Sequence, residues 1–284
     1  MISLVALDLD GTSLCHGGRI SPGLEEAIGK AQQNGIKVIL ATGRMAQSAE
    51  GFRLSLGISA GPMIAYNGAE VVAMPENQVW IRHAVHEEAA RRLIALALAH
   101  NLLVQVYVGA ELWVSRDAER VRDYVKTNHV PVSVRDAKAL TDWPEAPLKI
   151  LLQADPPVVD AFRSAAEEHM AGYPVRLFKS QSDYLEMVAR GVGKGKALAE
   201  VASRLALRPS QIMAIGDNEN DMDMLAWAGI GVAMGQSHAE VKLSANYVTT
   251  TVDQGGAAEA MRHFLFGQSG RLVSAGGRRQ GRHE

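Results

Sequence analysis

Short apolar runs alternate with amphipathic stretches over the first 65 residues. Residues 2–7 (Ile-Ser-Leu-Val-Ala-Leu) break at Asp-Leu-Asp-Gly-Thr, the pattern of a buried strand ending at its carboxyl edge. From Pro22 to about Asn34, Leu24, Ala27, Ile28 and Ala31 recur at helical spacing. Ser21 predicts the N-cap of this helix, Pro22 its first position and Gly35 its stop. Residues 37–41 read as a second buried strand, 42–44 as its turn, 45–56 as a helix and 62–65 as a third strand. This βαβαβ order predicts an α/β fold with a doubly wound parallel sheet.

The alternation then changes character. Residues 69–73 and 78–82 predict a hairpin across Pro75-Glu76-Asn77. A helix at 87–100, a hairpin of 102–108 with 111–115 across Gly109-Ala110, a helix at 117–127, a strand at 147–153, a helix at 157–169 and strands at 174–179 and 183–188 read as an α+β block. From Gly195 the doubly wound order returns: helix 195–205, strand 211–215, helix 219–226, strand 229–233, helix 238–243, strand 246–249 and helix 255–265. Residues 83–188 are therefore expected to be a second domain inserted between two halves of the first, 1–82 and 189–266. The tail, 267–284, has four arginines and no apolar periodicity, which predicts a disordered basic segment. No internal repeat of solenoid or propeller period is visible.

Composition narrows the partners. The 284 residues are 47% apolar, enough for a sizeable core, and Lys+Arg 29 against Asp+Glu 31 leaves no basic excess for a nucleic-acid backbone. Aromatics at 5% are too sparse for base-stacking platforms. No apolar run reaches the roughly 20 residues a bilayer requires, and acid at Asp8 leaves no room for a signal peptide. A single cysteine, Cys15, excludes an internal disulfide and a multi-Cys zinc site. These features predict a cytoplasmic protein with neither nucleic acid nor membrane as partner; a monomer or weak homodimer is expected, although no feature of the sequence sets the oligomeric state.

Four sequence elements carry candidate chemistry. Asp8 and Asp10, two residues apart at a buried strand end, share a side and repel each other, which points to a divalent cation or a catalytic task beyond an Asx-turn. Thr42-Gly43-Arg44 offers a hydroxyl and backbone N–H groups at a turn into a helix, either an anion-binding concavity or an ordinary helix start. Lys194, in Gly191-Val-Gly-Lys-Gly-Lys196 before a helix, opposes the macrodipole and reads as an anion ligand or a solvated lysine. A Walker loop is excluded, because Val188 and Arg190 stand where its first glycine belongs. The run 216–221 (Gly-Asp-Asn-Glu-Asn-Asp) carries more oxygen donors than helix capping explains, and without a Cys/His set it favours Mg²⁺ over zinc. His83 and His86 miss metalloprotease spacing and read as hinge and helix start. Cys15 and Met213, Met222, Met224 and Met234 read as packing residues.

Every one of these elements falls at a strand's carboxyl end or a helix N-terminus, where open α/β sheets bind ligands. At this point the chain resembles the haloacid dehalogenase-like phosphohydrolases, in particular the Cof-type (subclass IIB) branch. The resemblance spans about 1–266 through DLDGT, TGR, NGA, GVGKG, GDNENDMDML and AMGQSHAEVKLSANYVTTTVDQGG in that order. It implies a Rossmann-like core with an inserted α+β cap. It also implies Asp8 as nucleophile through an aspartyl-phosphate, Asp10 as general acid and then base, and Thr42 and Lys194 on the phosphoryl oxygens. Mg²⁺ would be held by the Asp8 carboxylate, the Asp10 backbone carbonyl and Asp217, with Asn220 and Asp221 in support. Gly43, Arg44, Asn67, Lys194 and Glu186 are candidate substrate contacts, Arg44, Asn67 and Glu186 being equally readable as structural bridges. Ser13, the pair Gln236-Ser237 and Gly256 depart from the usual pattern without removing a catalytic group.

The expected function is a Mg²⁺-dependent phosphatase acting on a small phosphorylated metabolite, sugar phosphates foremost. The alternatives are a phosphomutase, a sucrose- or mannosyl-type phosphate phosphatase, and a non-enzymatic phosphate sensor. An intact Asp10 argues against the sensor, which has no need of a residue that speeds hydrolysis.

Overall fold

The computed structural model describes residues 1–128 and 130–275. Its first half-core runs β1 (Leu4–Leu7), α1 (Leu24–Gln33), β2 (Lys37–Leu40), α2 (Ala46–Ser55), β3 (Gly61–Ala65), β4 (Glu70–Met74) and β5 (Gln78–Arg82). The inserted block follows as α3 (Glu87–Ala99), β6 (Leu103–Val108), β7 (Glu111–Val114), α4 (Glu119–Asn128), β8 (Val132–Val134), β9 (Lys149–Gln153), α5 (Pro156–His169), β10 (Val175–Gln181) and β11 (Tyr184–Ala189). The core resumes with α6 (Lys194–Arg204), β12 (Ile212–Gly216), α7 (Met222–Trp227), β13 (Ile230–Ala233), α8 (Ala239–Ser244), β14 (Tyr247–Val248), α9 (Gly256–Phe266) and β15 (Val273–Ser274).

The core sheet has the order β15-β14-β13-β12-β1-β2, with β14 through β2 parallel. Leu4, Val5, Ala6 and Leu7 of β1 are fully buried, as a central parallel strand covered on both faces demands. Register does the positioning: Leu7 lies opposite both Ile215 and Leu40, so Asp8, Thr42 and Asp217 emerge together at the carboxyl edge. The methionines Met213, Met224 and Met234 are fully buried, as packing residues should be, and Cys15 sits in the same cluster as Met213 and Met234.

Several expectations are corrected. β3 is not a full member of the parallel sheet; it pairs antiparallel with β4 and touches the core sheet through a single parallel bridge, Ala41 to Ile64. Ser21 does not cap α1. Its hydroxyl donates to Val252 O at 2.7 Å, and the helix starts at Leu24 after Gly23, whose φ of 70° only glycine adopts freely. The helix expected at 219–226 divides into a 3₁₀ turn, Glu219–Asp221, followed by α7. The tail is not disordered from 267: β15 returns antiparallel onto β14, with Tyr247 opposite Ser274. Residues 276–284, which contain the remaining arginines of the expected disordered basic tail, lie outside the described residues.

The inserted block is a second sheet, β10-β11-β9-β6-β7-β8, in which β8, Val-Ser-Val, is too short for its alternation to predict a strand. Val104, Val106, Ile150, Leu152, Leu185 and Met187 pack with residues of α3 and α5. The alternate positions Gln105, Tyr107, Lys149, Gln153 and Glu186 point the other way, over the core, and all are buried. Residues 83–86 lead from β5 into α3, with His86 capping that helix by accepting from Ala89 N–H. No helix among the described residues is long and apolar enough to cross a membrane.

Candidate active site

The Asp8 side chain leaves β1 at 5% exposure and meets Lys194, which is fully buried at the N-terminus of α6. Lys194 Nζ donates to Asp8 Oδ1 and Asp221 Oδ1, both at 2.6 Å. Asp221 Oδ2 accepts from the backbone N–H groups of Asp217 and Asn218 at 2.9 and 3.0 Å, which folds the 217–221 loop around its own carboxylate. Thr12 Oγ1 approaches Asp217 Oδ1 at 3.4 Å. Carboxylate oxygens of Asp8, Asp217 and Asp221 all lie within 4.8 Å of one another. Hard oxygen donors with neither thiol nor imidazole suit a divalent cation of the Mg²⁺ or Ca²⁺ kind.

Three carboxylates against one ammonium leave a formal −2 in a buried space, and the groups respond. Burial first, then the Asp221 charge, hold Asp8 well above the ordinary carboxylate range against the pull of Lys194. Burial and Asp221 push Asp217 up to about 7. Burial alone would lower Lys194, but Asp221 and Asp8 hold it above an ordinary lysine. Asp8 and Asp217 thus retain protons in the native chain that the unfolded chain releases, so metal-free stability falls as pH rises from about 4 through about 7. The Asp217 displacement corresponds to a few kcal/mol, at roughly 1.4 kcal/mol per unit. Without metal, the melting temperature is expected to drop between pH 5.5 and 8, with added Mg²⁺ restoring more of it at pH 8. A metal-free melting curve of Asp217→Asn with the same pH slope as wild type would contradict this assignment.

The remaining predicted residues divide between two places. Asp10, half exposed, is held by Arg44, whose Nε and Nη2 donate to Asp10 Oδ2 and Oδ1 at 2.7 and 2.5 Å. Arg44 lies over the Phe52 ring at 4.6 Å, and its own N–H donates to Thr42 Oγ1. The Asp10 carboxylate is therefore not part of the three-carboxylate cluster. Asn67, in the left-handed region at φ 57°, donates to Glu186 Oε2 at 2.9 Å and accepts from Asn220 Nδ2 at 2.8 Å. The Asn220 amide nitrogen is thus directed to Asn67. Gly43 is required where it stands, because a Cβ there would lie 2.9 Å from Asn67 Oδ1.

Sequence reasoning missed three contributors. Lys149 donates to Gly43 O at 3.0 Å and pairs with Glu186 at 3.2 Å; a lysine inside an apolar strand was the available signal. Ser13 Oγ donates to Asp8 O at 2.6 Å, fixing the backbone beneath the Asp8 carboxylate. Asp223 accepts from Gly195 N–H and Met224 N–H, tying α7 to the turn that carries Lys194; nothing distinguished it from its acidic neighbours. Two departures from the family pattern also find local reasons. Gln236 bridges Gly11 O and Val252 N–H, and at Gly256 a Cβ would collide with Thr250 O.

A parallel α/β core with an acidic carboxyl edge, closed over by an inserted α+β sheet, defines a capped hydrolase. The family model for haloacid dehalogenase-like hydrolases matches residues 5–261, and the chain belongs to that family. It is 28% identical to "Phosphatase YwpJ" of Bacillus subtilis over 93% of this chain and all of that one. It is 29% identical to the B. subtilis "5-amino-6-(5-phospho-D-ribitylamino)uracil phosphatase YcsE" over 93% of this chain and 96% of the relative. A haloacid dehalogenase-like hydrolase from Bacteroides thetaiotaomicron superposes with a TM-score of 0.83 at 28% identity, covering 93% of this chain and all of that one. The chain is a phosphoric monoester hydrolase of this family, with an acidic cluster suited to a divalent metal.

Proposed function

We propose that the chain is a Mg²⁺-dependent phosphatase of small phosphate monoesters, sugar and sugar-alcohol phosphates foremost, working through an aspartyl-phosphate on Asp8. The observation that carries this reading is the buried Asp8 carboxylate at the end of β1, bonded to Lys194 beside Asp217 and Asp221. Asp8 Oδ attacks phosphorus, the phosphorus–oxygen bond to the alcohol breaks, and Asp10 gives its proton to the leaving oxygen. Asp10 then takes a proton from water, whose oxygen attacks phosphorus and returns the Asp8 carboxylate with inorganic phosphate. Lys194 and Thr42 hold phosphoryl oxygens during both displacements. Arg44 bonds both oxygens of the Asp10 carboxylate in this structure, so that pair has to open for Asp10 to carry the proton.

A phosphate dianion entering a cluster of formal charge −2 is opposed by a few kcal/mol per charge pair at about 4 Å, even at an effective dielectric near 20. Mg²⁺ would be held by the Asp8 and Asp217 carboxylates and the Asp10 carbonyl, with Asn220 and Asp221 in support, and would supply the compensating positive charge. The substrate class rests on the surface facing the core from the inserted sheet. Gln105, Tyr107, Gln153 and Glu186 form a buried polar network on that face, Gln105 Nε2 donating to Gln153 Oε1 at 3.1 Å, and by exchanging these bonds it would take a hydroxylated leaving group while the cap excludes bulky phosphoproteins. The name of the YcsE relative, which specifies a phosphorylated ribityl chain, points the same way.

Phosphate release from hexose, pentose and polyol phosphates, a nucleotide and a phosphoserine peptide, each with Mg²⁺ and with chelator, tests the reading. Release that needs Mg²⁺ and favours the polyhydroxylated monoesters is expected. No release from any of them in Mg²⁺ would count against it.

A further inference from the structure

Buried among the cap residues that face the core is a charge whose role the reaction above does not assign. Lys149 lies on β9 opposite Tyr107, with its ammonium 4.5 Å from that ring's centroid, and is 4% exposed. Its Nζ has two oxygen partners: Glu186 Oε2 within the cap, and Gly43 O across the interface in the core. Glu186, 3% exposed, is itself bonded to Asn67 of the core and to the Ser180 hydroxyl. Asn67 continues to Asn220, and Asn218 Nδ2 donates to Ser180 O at 2.6 Å. The pair thus reaches both catalytic loops, 42–44 and 217–221.

Stability does not account for it. A buried ion pair recovers its desolvation cost only in part, and an apolar pair of similar volume is commonly as stable or more so. Leu151, the next position along the same face of β9, shows that the surface accepts an apolar residue. A charged pair there specifies geometry instead. The core atom that Lys149 reaches is a backbone carbonyl, whose place is fixed by the loop itself, between Thr42 and Arg44. The loop is in turn tied to the core by backbone bonds from Tyr66 N–H to Arg44 O and from Asn67 N–H to Thr42 O, at 2.9 and 3.0 Å.

We infer that Lys149 is a positioning residue that registers the closed cap on the Thr42–Arg44 loop, so that turnover of substrates held beneath the cap depends on its bond to Gly43 O. The inference rests on the phosphatase reading for its kinetic arm and on geometry alone for its structural arm. In the kinetic arm, kcat/KM is measured with a hexose 6-phosphate, whose large polyhydroxylated leaving group has to contact the cap, and with acetyl phosphate, whose small leaving group does not. Lys149→Met is expected to lower the hexose-to-acetyl ratio of kcat/KM at least tenfold, mainly through kcat. Lys149→Met strands Glu186 without its cation, so Lys149→Met/Glu186→Gln is measured beside it. That double variant removes both charges of the pair and is expected to melt near wild type, which separates a folding loss from the kinetic one; because Glu186 also faces the leaving group, the ratio is read from Lys149→Met.

The structural arm is solution X-ray scattering without substrate, in which Lys149→Met is expected to show a larger radius of gyration than wild type. A ratio equal to wild type in Lys149→Met, or an unchanged radius of gyration, overturns the inference. Wild type inactive on both compounds in Mg²⁺ would instead remove the phosphatase reading, and the scattering comparison would still decide for or against the Lys149 contact.

Discussion

Asp8→Asn is expected to abolish phosphate release, by about ten-thousand-fold or more in kcat, while the metal-free protein melts no lower than wild type. The two halves of the result have one physical origin. The amide keeps the shape and an oxygen able to accept from Lys194, so the 2.6 Å contact at the end of β1 has a substitute. It lacks the anionic oxygen that attacks phosphorus, and binding groups alone do not replace a nucleophile. In the metal-free wild type, Asp8 is held well above its ordinary range by burial and by Asp221, which is a standing cost to folding. Removing that charge relieves repulsion with Asp221 and Asp217, so a function-for-stability exchange is expected at this position. Assay of kcat in Mg²⁺ and melting in chelator read the two halves separately. Turnover within tenfold of wild type would place the nucleophile elsewhere. A melting temperature lowered as much as by a core cavity would make Asp8 a structural ion-pair member.

The position of Asp8 at a strand's carboxyl edge is legible in the sequence because the motif sits on a local rule, whereas its role as nucleophile follows from the family resemblance. An apolar run ending in acid, glycine and threonine marks a strand's carboxyl edge, and such edges gather in parallel sheets. The same rule led from Ile212–Ile215 to Asp217 and Asp221, and the structure brings them within 4.8 Å of Asp8. What the sequence withheld is non-local. Ser21 has the composition of an N-cap, yet its hydroxyl serves Val252, 231 residues away in the chain. β3 has the composition of a parallel core strand, but its hydrogen bonds go to the β4 hairpin. Residues 267–275 lack periodicity because β15 is two residues long and needs only backbone pairing with β14. Glu186, Asn67 and Arg44 could be singled out from the sequence as groups near the boundary of core and insertion. Their partners, Lys149, Asn220 and Asp10, lie on other segments of the chain, Lys149 on the strand beside Glu186 in the inserted sheet and the other two within the core, and no pattern within one segment records such pairings.

Lys194→Met is expected to give the largest loss of stability of any single change at the site, about 3–5 kcal/mol in the absence of metal at pH 8. Lys194 is fully buried, and both of its carboxylate partners accept at 2.6 Å. A thioether fills the volume of the side chain but leaves Asp8 and Asp221 buried beside Asp217 with no cation among them. Their mutual repulsion then has to be met by protonation or by unfolding, and at pH 8 protonation is the costlier of the two for more than one group. Two observations follow that a packing defect would not produce. Mg²⁺ should restore a larger part of the lost stability in the variant than it adds to wild type, since the ion then supplies the only positive charge in the cluster. Lys194→Met/Asp221→Asn should melt above Lys194→Met, although it carries one more substitution in the site. Turnover should stay about a hundredfold or more below wild type in both, because the phosphoryl oxygens lose a charged donor that neither Mg²⁺ nor the neutral amide introduced by Asp221→Asn replaces. Melting curves in chelator and in Mg²⁺, with kcat measured alongside, decide it. Equal Mg²⁺ stabilisation of wild type and variant would mean that Lys194 holds the fold by packing and does not balance the charge of the acidic cluster.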